Sequence, residues 1–186
     1  MLLEDETLGE QQMSEIMKTY QTLEYLSKLN KSLLLLSKID NHQFSEEKEV
    51  CLNEVLHRYM DDYQEVYAYR DITLTVEEEG ELYWNMNETL AVVLITNLLK
   101  NAFVHNIDKG NVRIGITSSS IAFSNTGADE ALDASRIFER FYQGTKKKEG
   151  STGLGLAIVD AICRQCRLEV DYRLADGLHC FNVSHS

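Results

Sequence analysis

The most constraining feature of the sequence is a long apolar run, Thr89 to Ile107, that carries a regular polar stripe. Asn87 before it is suited to cap a helix, and Glu88 places an acid in the first turn. At 3.6 residues per turn, the apolar face of this helix consists of Ala91, Leu94, Ile95, Leu98 and Ala102. The polar stripe consists of Asn97, Asn101 and His105. Because burying an unpaired amide costs roughly 1–3 kcal/mol, either neighbouring backbone or a bound polar group must meet this stripe.

A second stretch, Ile137 to Val159, contains aromatic, basic and glycine-rich segments in that order. Small residues from Gly150 to Gly155 precede an apolar helix, so the unpaired amides of its first turn are open to an anion. The glycine spacing matches neither the Walker phosphate loop nor the dinucleotide-binding fingerprint. The sequence therefore predicts a phosphate site of another kind.

These segments resemble the catalytic, ATP-binding domain of sensor histidine kinases, in the superfamily shared with DNA gyrase, heat-shock chaperone ATPases and MutL proteins. Asn97 to His105 resembles the N box, Phe138 to Phe141 the F box, and Gly153 to Leu156 the second glycine box. Leu29 to Asp40 is similar to the second helix of the dimerisation hairpin of these kinases. The resemblance runs from about Leu23 to the C-terminus.

The predicted fold class is α+β: a two-layer sandwich of a mixed β-sheet with helices on one face, preceded by a long α-helix. Apolar residues at steps of three and four predict that helix from about Gly9 to Asn41. Asn53 is expected to cap the next one. We expect residues 1–44 to form a partial dimerisation segment without the phosphoacceptor helix, and residues 45–186 to form the catalytic ATP-binding domain.

Composition excludes some classes of partner. The formal charge of −12 argues against a nucleic-acid surface and against binding to an anionic membrane. No apolar segment approaches the ~20 residues that span a bilayer, so the expected location is the cytoplasm, with any membrane anchor of a full-length protein in a missing N-terminal region. The sequence has no proline, and no histidine stands in the family's phosphoacceptor setting. We therefore expect a fragment that begins after that helix, or a form that has lost it.

Four cysteines are too few for a disulfide framework in a chain of this length. Cys163, Cys166, His179 and His185 have the bare spacing of a zinc finger. In a finger, however, the cysteines lie on a hairpin and the histidines on a helix, whereas the pattern here is the reverse. We expect no zinc, and reduced thiols that pack on one helix face.

The resemblance implies catalytic roles for Asn97, Asn101 and Arg140. Asn101 stands where the family holds Mg²⁺, and an amide oxygen is a suitable hard ligand. Asn97 stands where the ATPase branches carry the glutamate that activates water. Because asparagine cannot accept that proton, the sequence favours phosphoryl transfer over hydrolysis.

The resemblance also implies a set of residues that bind ATP. They are Asn101, His105, Asn125, Gly127, Phe138, Phe141, Lys146, Thr152, Gly153, Leu154 and Gly155. The segment from Asn125 to Asp129 resembles the first glycine box, but asparagine replaces the usual aspartate and Asp129 replaces the second glycine. A simple turn remains the alternative for this segment, and core packing remains the alternative for the two phenylalanines.

The function implied is that of an ATP-binding kinase domain of a two-component sensor histidine kinase. It would use ATP and Mg²⁺ to phosphorylate a histidine absent from this chain, and would not autophosphorylate as given. The partners implied are a second copy, through the N-terminal helix, and a response regulator. The alternative is a degenerate dimerising nucleotide-binding module without phosphotransfer.

Overall fold

The computed structural model describes residues 9–143 and 151–185. The helices are α1 (Glu10–Asp40), α2 (Leu52–Val66), α3 (Glu88–Val104) and α4 (Gly155–Cys166), and a 3₁₀ turn, Ala68–Arg70, follows α2. The strands are β1 (Lys48–Cys51), β2 (Thr73–Glu78), β3 (Tyr83–Met86), β4 (Asn111–Ile116), β5 (Ser120–Thr126), β6 (Leu168–Ala175) and β7 (Leu178–His185).

The main sheet has five strands in the order β2-β4-β5-β7-β6. Strands β2 and β4 are parallel, and the remaining neighbours are antiparallel. Side chains of β5 and β7 alternate between buried and half-buried, as expected for a sheet that is covered on one face. The mixed sheet of the predicted α+β fold is confirmed. The short strands β1 and β3 form a separate antiparallel pair.

The hydrophobic core lies between the main sheet and the helices α3 and α4. The apolar face predicted for α3 is buried throughout, and Phe103 joins it near the C-terminal end of the helix. Phe123 on β5 and Phe181 on β7 are directly opposite each other on these neighbouring strands, and both are buried. The core therefore packs α3 and α4 together on one face of the main sheet.

Helix α1 is anchored by its C-terminal turns. Its buried residues are Leu36 and Ile39, and the helix packs on α4. Several of its more N-terminal apolar side chains are exposed, among them Met17, Tyr20, Leu23 and Leu26. No helix in the described ranges is long and apolar enough to cross a bilayer.

The predicted cap at Asn53 is wrong. Helix α2 begins at Leu52 with Cys51 as the capping residue, and no side chain completes that cap. Asn53 is buried instead: its amide nitrogen donates to the Gly80 carbonyl at 3.1 Å, and its oxygen accepts from the Leu82 amide at 2.9 Å. The side chain fixes the connection between β2 and β3, a tertiary role that local sequence does not encode.

Candidate nucleotide-binding site

The polar stripe predicted for α3 approaches α4 at Asn97, whose side-chain oxygen lies beside Gly155. The Asn87 side chain accepts from the Thr89 amide at 2.9 Å, which confirms the predicted cap. Further along, the amide nitrogen of Asn97 donates to the Val93 carbonyl at 2.8 Å. Backbone pairing therefore satisfies the nitrogen of Asn97, while its oxygen faces the neighbouring helix. Asn101 follows one turn later and is half-buried.

The second glycine box opens α4, as predicted. A Cβ atom at Gly155 would lie 3.2 Å from the Asn97 side-chain oxygen, so the missing side chain lets the first turn of α4 approach α3. Leu154 precedes the helix, and its side chain is buried in the core. Only the backbone of Leu154 is thus left to meet a ligand. Thr152 is half-buried just before it.

The F box is tied to the same glycine box. The Phe141 amide donates to the Gly153 carbonyl at 2.9 Å, and both residues have a φ of +66°. A Cβ atom at Gly153 would lie 2.8 Å from the Phe141 carbonyl carbon and from the Tyr142 carbonyl oxygen. Phe138 packs against the core, but Phe141 is 56% exposed, so core packing is the wrong interpretation for Phe141.

Of the two cationic residues predicted for the site, Arg140 and Lys146, the structure describes only Arg140. Arg140 forms an ion pair with Asp40, the last residue of α1, at 2.7 Å. Both side chains are about half exposed, and such pairs contribute about 0–1 kcal/mol. Lys146 lies outside the described residues.

The first glycine box begins on a strand. Asn125 and Thr126 are the last residues of β5, so the simple-turn interpretation is wrong for Asn125. The Asn125 side chain is only 1% exposed, and its nitrogen donates to the Thr126 carbonyl at 2.8 Å. Its buried oxygen has no hydrogen-bond partner within the described ranges. An unpaired buried acceptor costs about 1–3 kcal/mol, which a ligand donor would offset.

His179 supports this box from the neighbouring strand. It lies opposite Asn125 in the β5–β7 pairing, and its ring would be 2.6 Å from a Cβ atom at Gly127. Its Nε2 is 2.8 Å from the Ala128 carbonyl, and its Nδ1 is 2.8 Å from the Tyr172 hydroxyl. Because the carbonyl can only accept, the neutral tautomer that fits these contacts carries its proton on Nε2 and accepts from the hydroxyl at Nδ1.

Sequence reasoning considered His179 only as a metal ligand and missed this role. The position opposite Asn125 depends on the register of two strands that are distant in sequence, and no local pattern reveals it. Burial raises the pKa of Tyr172, which keeps its hydroxyl protonated for the bond to His179. The Tyr172 oxygen also accepts from the Leu132 amide at 3.0 Å, so the pair holds both ends of the loop after Gly127.

The four residues with zinc-finger spacing do not form a metal site in the described structure. Cys163 and Cys166 lie on α4, whereas His179 and His185 lie on β7. Burial raises the pKa of Cys163 to about 12 and that of Cys166 to about 11, so both thiols stay protonated at neutral pH. Within the described ranges, no group of three or more His, Cys, Asp or Glu side chains could hold a metal ion.

The glycine contacts join the predicted boxes in space. The N box meets the second glycine box where Asn97 faces Gly155, and that box meets the F box at Gly153. The His105 carbonyl oxygen would lie 3.5 Å from a Cβ atom at Gly127, so the first glycine box adjoins the end of α3.

Residues 86–182 match the family of histidine kinase-, DNA gyrase B- and HSP90-like ATPases. The chain belongs to this family.

Relatives and solved structures extend this result. Over 164 residues the chain is 34% identical to the sensor histidine kinase RppB of Synechocystis sp., a match that covers 82% of this chain and 36% of RppB. The chain thus spans about a third of that relative's length. Full-length ShkA in complex with AMPPNP superposes with a TM-score of 0.72 at 22% identity, covering 100% of this chain and 42% of ShkA.

A second solved structure, the histidine kinase ThkA in complex with the response regulator TrrA, gives a TM-score of 0.68 at 19% identity. The match covers 98% of this chain and 53% of that one. At these identities the likeness concerns the fold, which is that of histidine kinases.

The residues present fit the nucleotide that a histidine kinase-like ATPase fold binds. The unpaired oxygen of Asn125 is an acceptor for a base amino group. The amides at the start of α4 are donors for phosphate oxygens. Asn101, on α3, would offer an amide oxygen to Mg²⁺.

Proposed function

We propose that this chain binds ATP with Mg²⁺ and acts as the ATP-binding kinase domain of a two-component sensor histidine kinase. The observation that carries this proposal is the junction where Gly155 brings the first turn of α4 to the Asn97 side chain. The positive end of α4 thereby faces the polar stripe of α3. A triphosphate placed there meets backbone donors on one side and Asn101 on the other.

The side chains favour transfer over hydrolysis. Asn97 uses its nitrogen to donate to the Val93 carbonyl, and an amide cannot take a proton from water. When bound, ATP supplies the phosphoryl group and Mg²⁺ offsets the charge of the phosphates. The chain positions these groups: Asn101 would hold the ion, and the glycines permit close approach of the backbone.

The acceptor of this proposal is a histidine outside the chain, and we expect no phosphohistidine when the chain alone is mixed with ATP. The exposed apolar residues of α1 support pairing with a second copy through this helix. The ThkA–TrrA complex supports a response regulator as a partner. We place the domain in the cytoplasm, with any membrane anchor outside this chain.

A second candidate is a dimerising nucleotide-binding module without phosphotransfer. Two observations favour it: Asn125 supplies a neutral acceptor where the family has a carboxylate, and Arg140 is engaged by Asp40. Both would weaken the hold on ATP compared with a typical member of the family.

Calorimetric titration with AMPPNP, with and without Mg²⁺, tests the proposal. We expect Mg²⁺ to strengthen binding to the native chain, and Asn101→Ala to remove that strengthening because the metal loses its protein ligand. Asn85→Ala is the matched control: this exposed asparagine lies on β3, outside the site, and should leave binding unchanged. Native protein that binds no AMPPNP at millimolar concentration would favour the dimerising module instead.

A further inference from the structure

Arg70 lies outside every predicted motif, yet its side chain forms hydrogen bonds at the C-terminal end of α3. From the 3₁₀ turn after α2, its guanidinium donates to the Phe103 carbonyl at 2.7 Å and to the Asn106 carbonyl at 2.6 Å. It also pairs with Asp108 at 2.8 Å, and its side chain is only 13% exposed. The last carbonyls of a helix lack partners within the helix and carry its negative end. Arg70 satisfies and neutralises this end.

The Asn106 side chain extends these contacts to two strands; we call the hydrogen-bonded group of Arg70, Asn106 and Thr126 the joint. The buried amide nitrogen of Asn106 donates to the Ala102 carbonyl at 3.2 Å and to the Asn111 carbonyl at 3.0 Å. Its oxygen accepts from the Ile107 amide at 2.9 Å and from the Thr126 hydroxyl. One side chain thus joins the end of α3 to the start of β4 and the end of β5.

Thr126 completes the joint from the base-binding side. It stands between Asn125 and Gly127 in the first glycine box, and its hydroxyl also accepts from the Asn111 amide at 2.9 Å. Gly110 closes the joint, because a Cβ atom there would collide with the Asn106 oxygen and the Thr126 hydroxyl. The three polar groups therefore have one closely fitted arrangement.

We infer that Arg70, Asn106 and Thr126 are positioning residues that set the span between the metal end and the base end of the nucleotide site. This inference rests on the proposed function. Asn101 lies on α3, one turn before the joint, and Asn125 lies on β5, directly beside it. None of the three positioning residues needs to touch the nucleotide.

The span matters because one ligand must satisfy both ends at once. A ligand that joins two subsites gains affinity only when their separation matches its own length. Loosening the joint should therefore weaken a nucleotide that bridges both ends, and should spare a fragment that occupies only one. A purely structural role would affect stability without this distinction.

Thr126→Val and Thr126→Ser form a matched pair for the test. Valine keeps the shape of threonine without the hydroxyl, and serine keeps the hydroxyl. Affinities for Mg²⁺·AMPPNP, by calorimetry, and for adenosine, by NMR titration, are measured on folded protein below its melting transition. We expect Thr126→Val to lower the affinity for Mg²⁺·AMPPNP about tenfold and the affinity for adenosine less than about twofold. Both affinities of Thr126→Ser should be close to those of the native chain.

Arg70→Lys is a second variant, because lysine keeps the charge and loses the planar fork that reaches three acceptors. It should show the same split between the two ligands. An equal loss of affinity for both ligands in Thr126→Val would overturn the inference, since that result indicates local damage to the base pocket. Unchanged affinities would overturn it as well, while native binding of Mg²⁺·AMPPNP leaves the proposed function standing. If the native chain binds neither ligand, both proposals fail.

Discussion

At the scale of single residues, the Asn125 amide has a fixed orientation. Its nitrogen is committed to the Thr126 carbonyl, so its oxygen is left as a buried acceptor. An acceptor in this place suits the amino group of adenine and not the carbonyl that guanine carries at the same ring position. In the proposed complex, Asn125 would therefore select adenine although it lacks the charge of the usual aspartate.

Asn125→Asp should have opposite effects on the free and the bound protein. A buried carboxylate without a partner destabilises the free chain, so its melting temperature should fall at pH 7. A donor from adenine would then pair with a charged acceptor, which makes a bond roughly twice as strong as a neutral one. The rise in melting temperature on saturation with Mg²⁺·AMPPNP should thus exceed that of the native chain.

Differential scanning calorimetry measures both quantities. Asn30→Asp, on the exposed face of α1, makes the same change of charge away from the site and should alter neither. A nucleotide-induced rise equal to that of the native chain would show that position 125 does not contact the base.

Residue patterns identified the parts of the candidate site that are local. Asn97 and Asn101 lie on α3, as helix periodicity predicted, while His105 lies just past its end, and Gly153 and Gly155 follow from the resemblance. Arg70 was missed because it reaches Phe103 and Asn106 across more than thirty positions of sequence, and no spacing rule connects them. Its only local sign is a long cation beside a turn, which is common on any surface.

At the scale of elements, the contact between the F box and the second glycine box joins two residues in the left-handed region of backbone conformation. Phe141 and Gly153 both have a φ of +66°, and a hydrogen bond connects them. Side chains other than glycine adopt this region at a cost of about 1–2 kcal/mol. Phe141 therefore carries backbone strain at this contact, whereas Gly153 adopts the same conformation without it.

Gly153→Ala should destabilise the protein more than Gly177→Ala. Both glycines have positive φ, but a Cβ atom at Gly177 meets nothing within 4 Å, whereas at Gly153 it meets backbone atoms at 2.8 Å. We expect a loss of about 1 kcal/mol for Gly177→Ala from the backbone conformation alone. The loss for Gly153→Ala should be at least about twice as large, because backbone cannot move aside cheaply.

Urea unfolding of both variants gives the two losses directly. Similar losses for the two variants would mean that the backbone around Gly153 relaxes to accept a Cβ atom, and that its close packing against the F box is not rigid.

Periodicity predicted the long N-terminal helix and the apolar helix α3, because their burial patterns are local. It did not predict where α2 begins, since Asn53 exchanged a local cap for bonds to Gly80 and Leu82. It also did not predict that Phe141 would be exposed, because an aromatic residue in an apolar context ordinarily signals core. In both cases tertiary contacts overrode a local preference.

At the scale of the whole molecule, α1 has two kinds of apolar residue. Leu36 and Ile39 are buried within the chain, whereas Leu23 and Leu26 are exposed. Only the first kind can stabilise the isolated chain. The second kind is available to a second copy, as the proposed function requires.

Leu36→Ala and Leu23→Ala should separate the two contributions. Truncating a buried leucine costs about 2–5 kcal/mol, so Leu36→Ala should lower the melting temperature at every protein concentration. Leu23→Ala should leave the melting temperature of dilute protein unchanged and weaken self-association in analytical ultracentrifugation. If Leu23→Ala left association intact, the exposed stripe of α1 would not be the dimer surface.

The position of the anchor on α1 also has a mechanical consequence. The helix has 31 residues, and the buried Leu36 lies near its C-terminal end. At 1.5 Å per residue, about 39 Å of helix extends from Leu36 to Glu10, and only about 6 Å from Leu36 to Asp40. A tilt of about 5° about Leu36 would move the Glu10 end by about 3 Å and the Asp40 end by about 0.5 Å. The helix is thus a lever whose short arm ends on Arg140, so a displacement at its far end reaches the F box reduced about sixfold in amplitude.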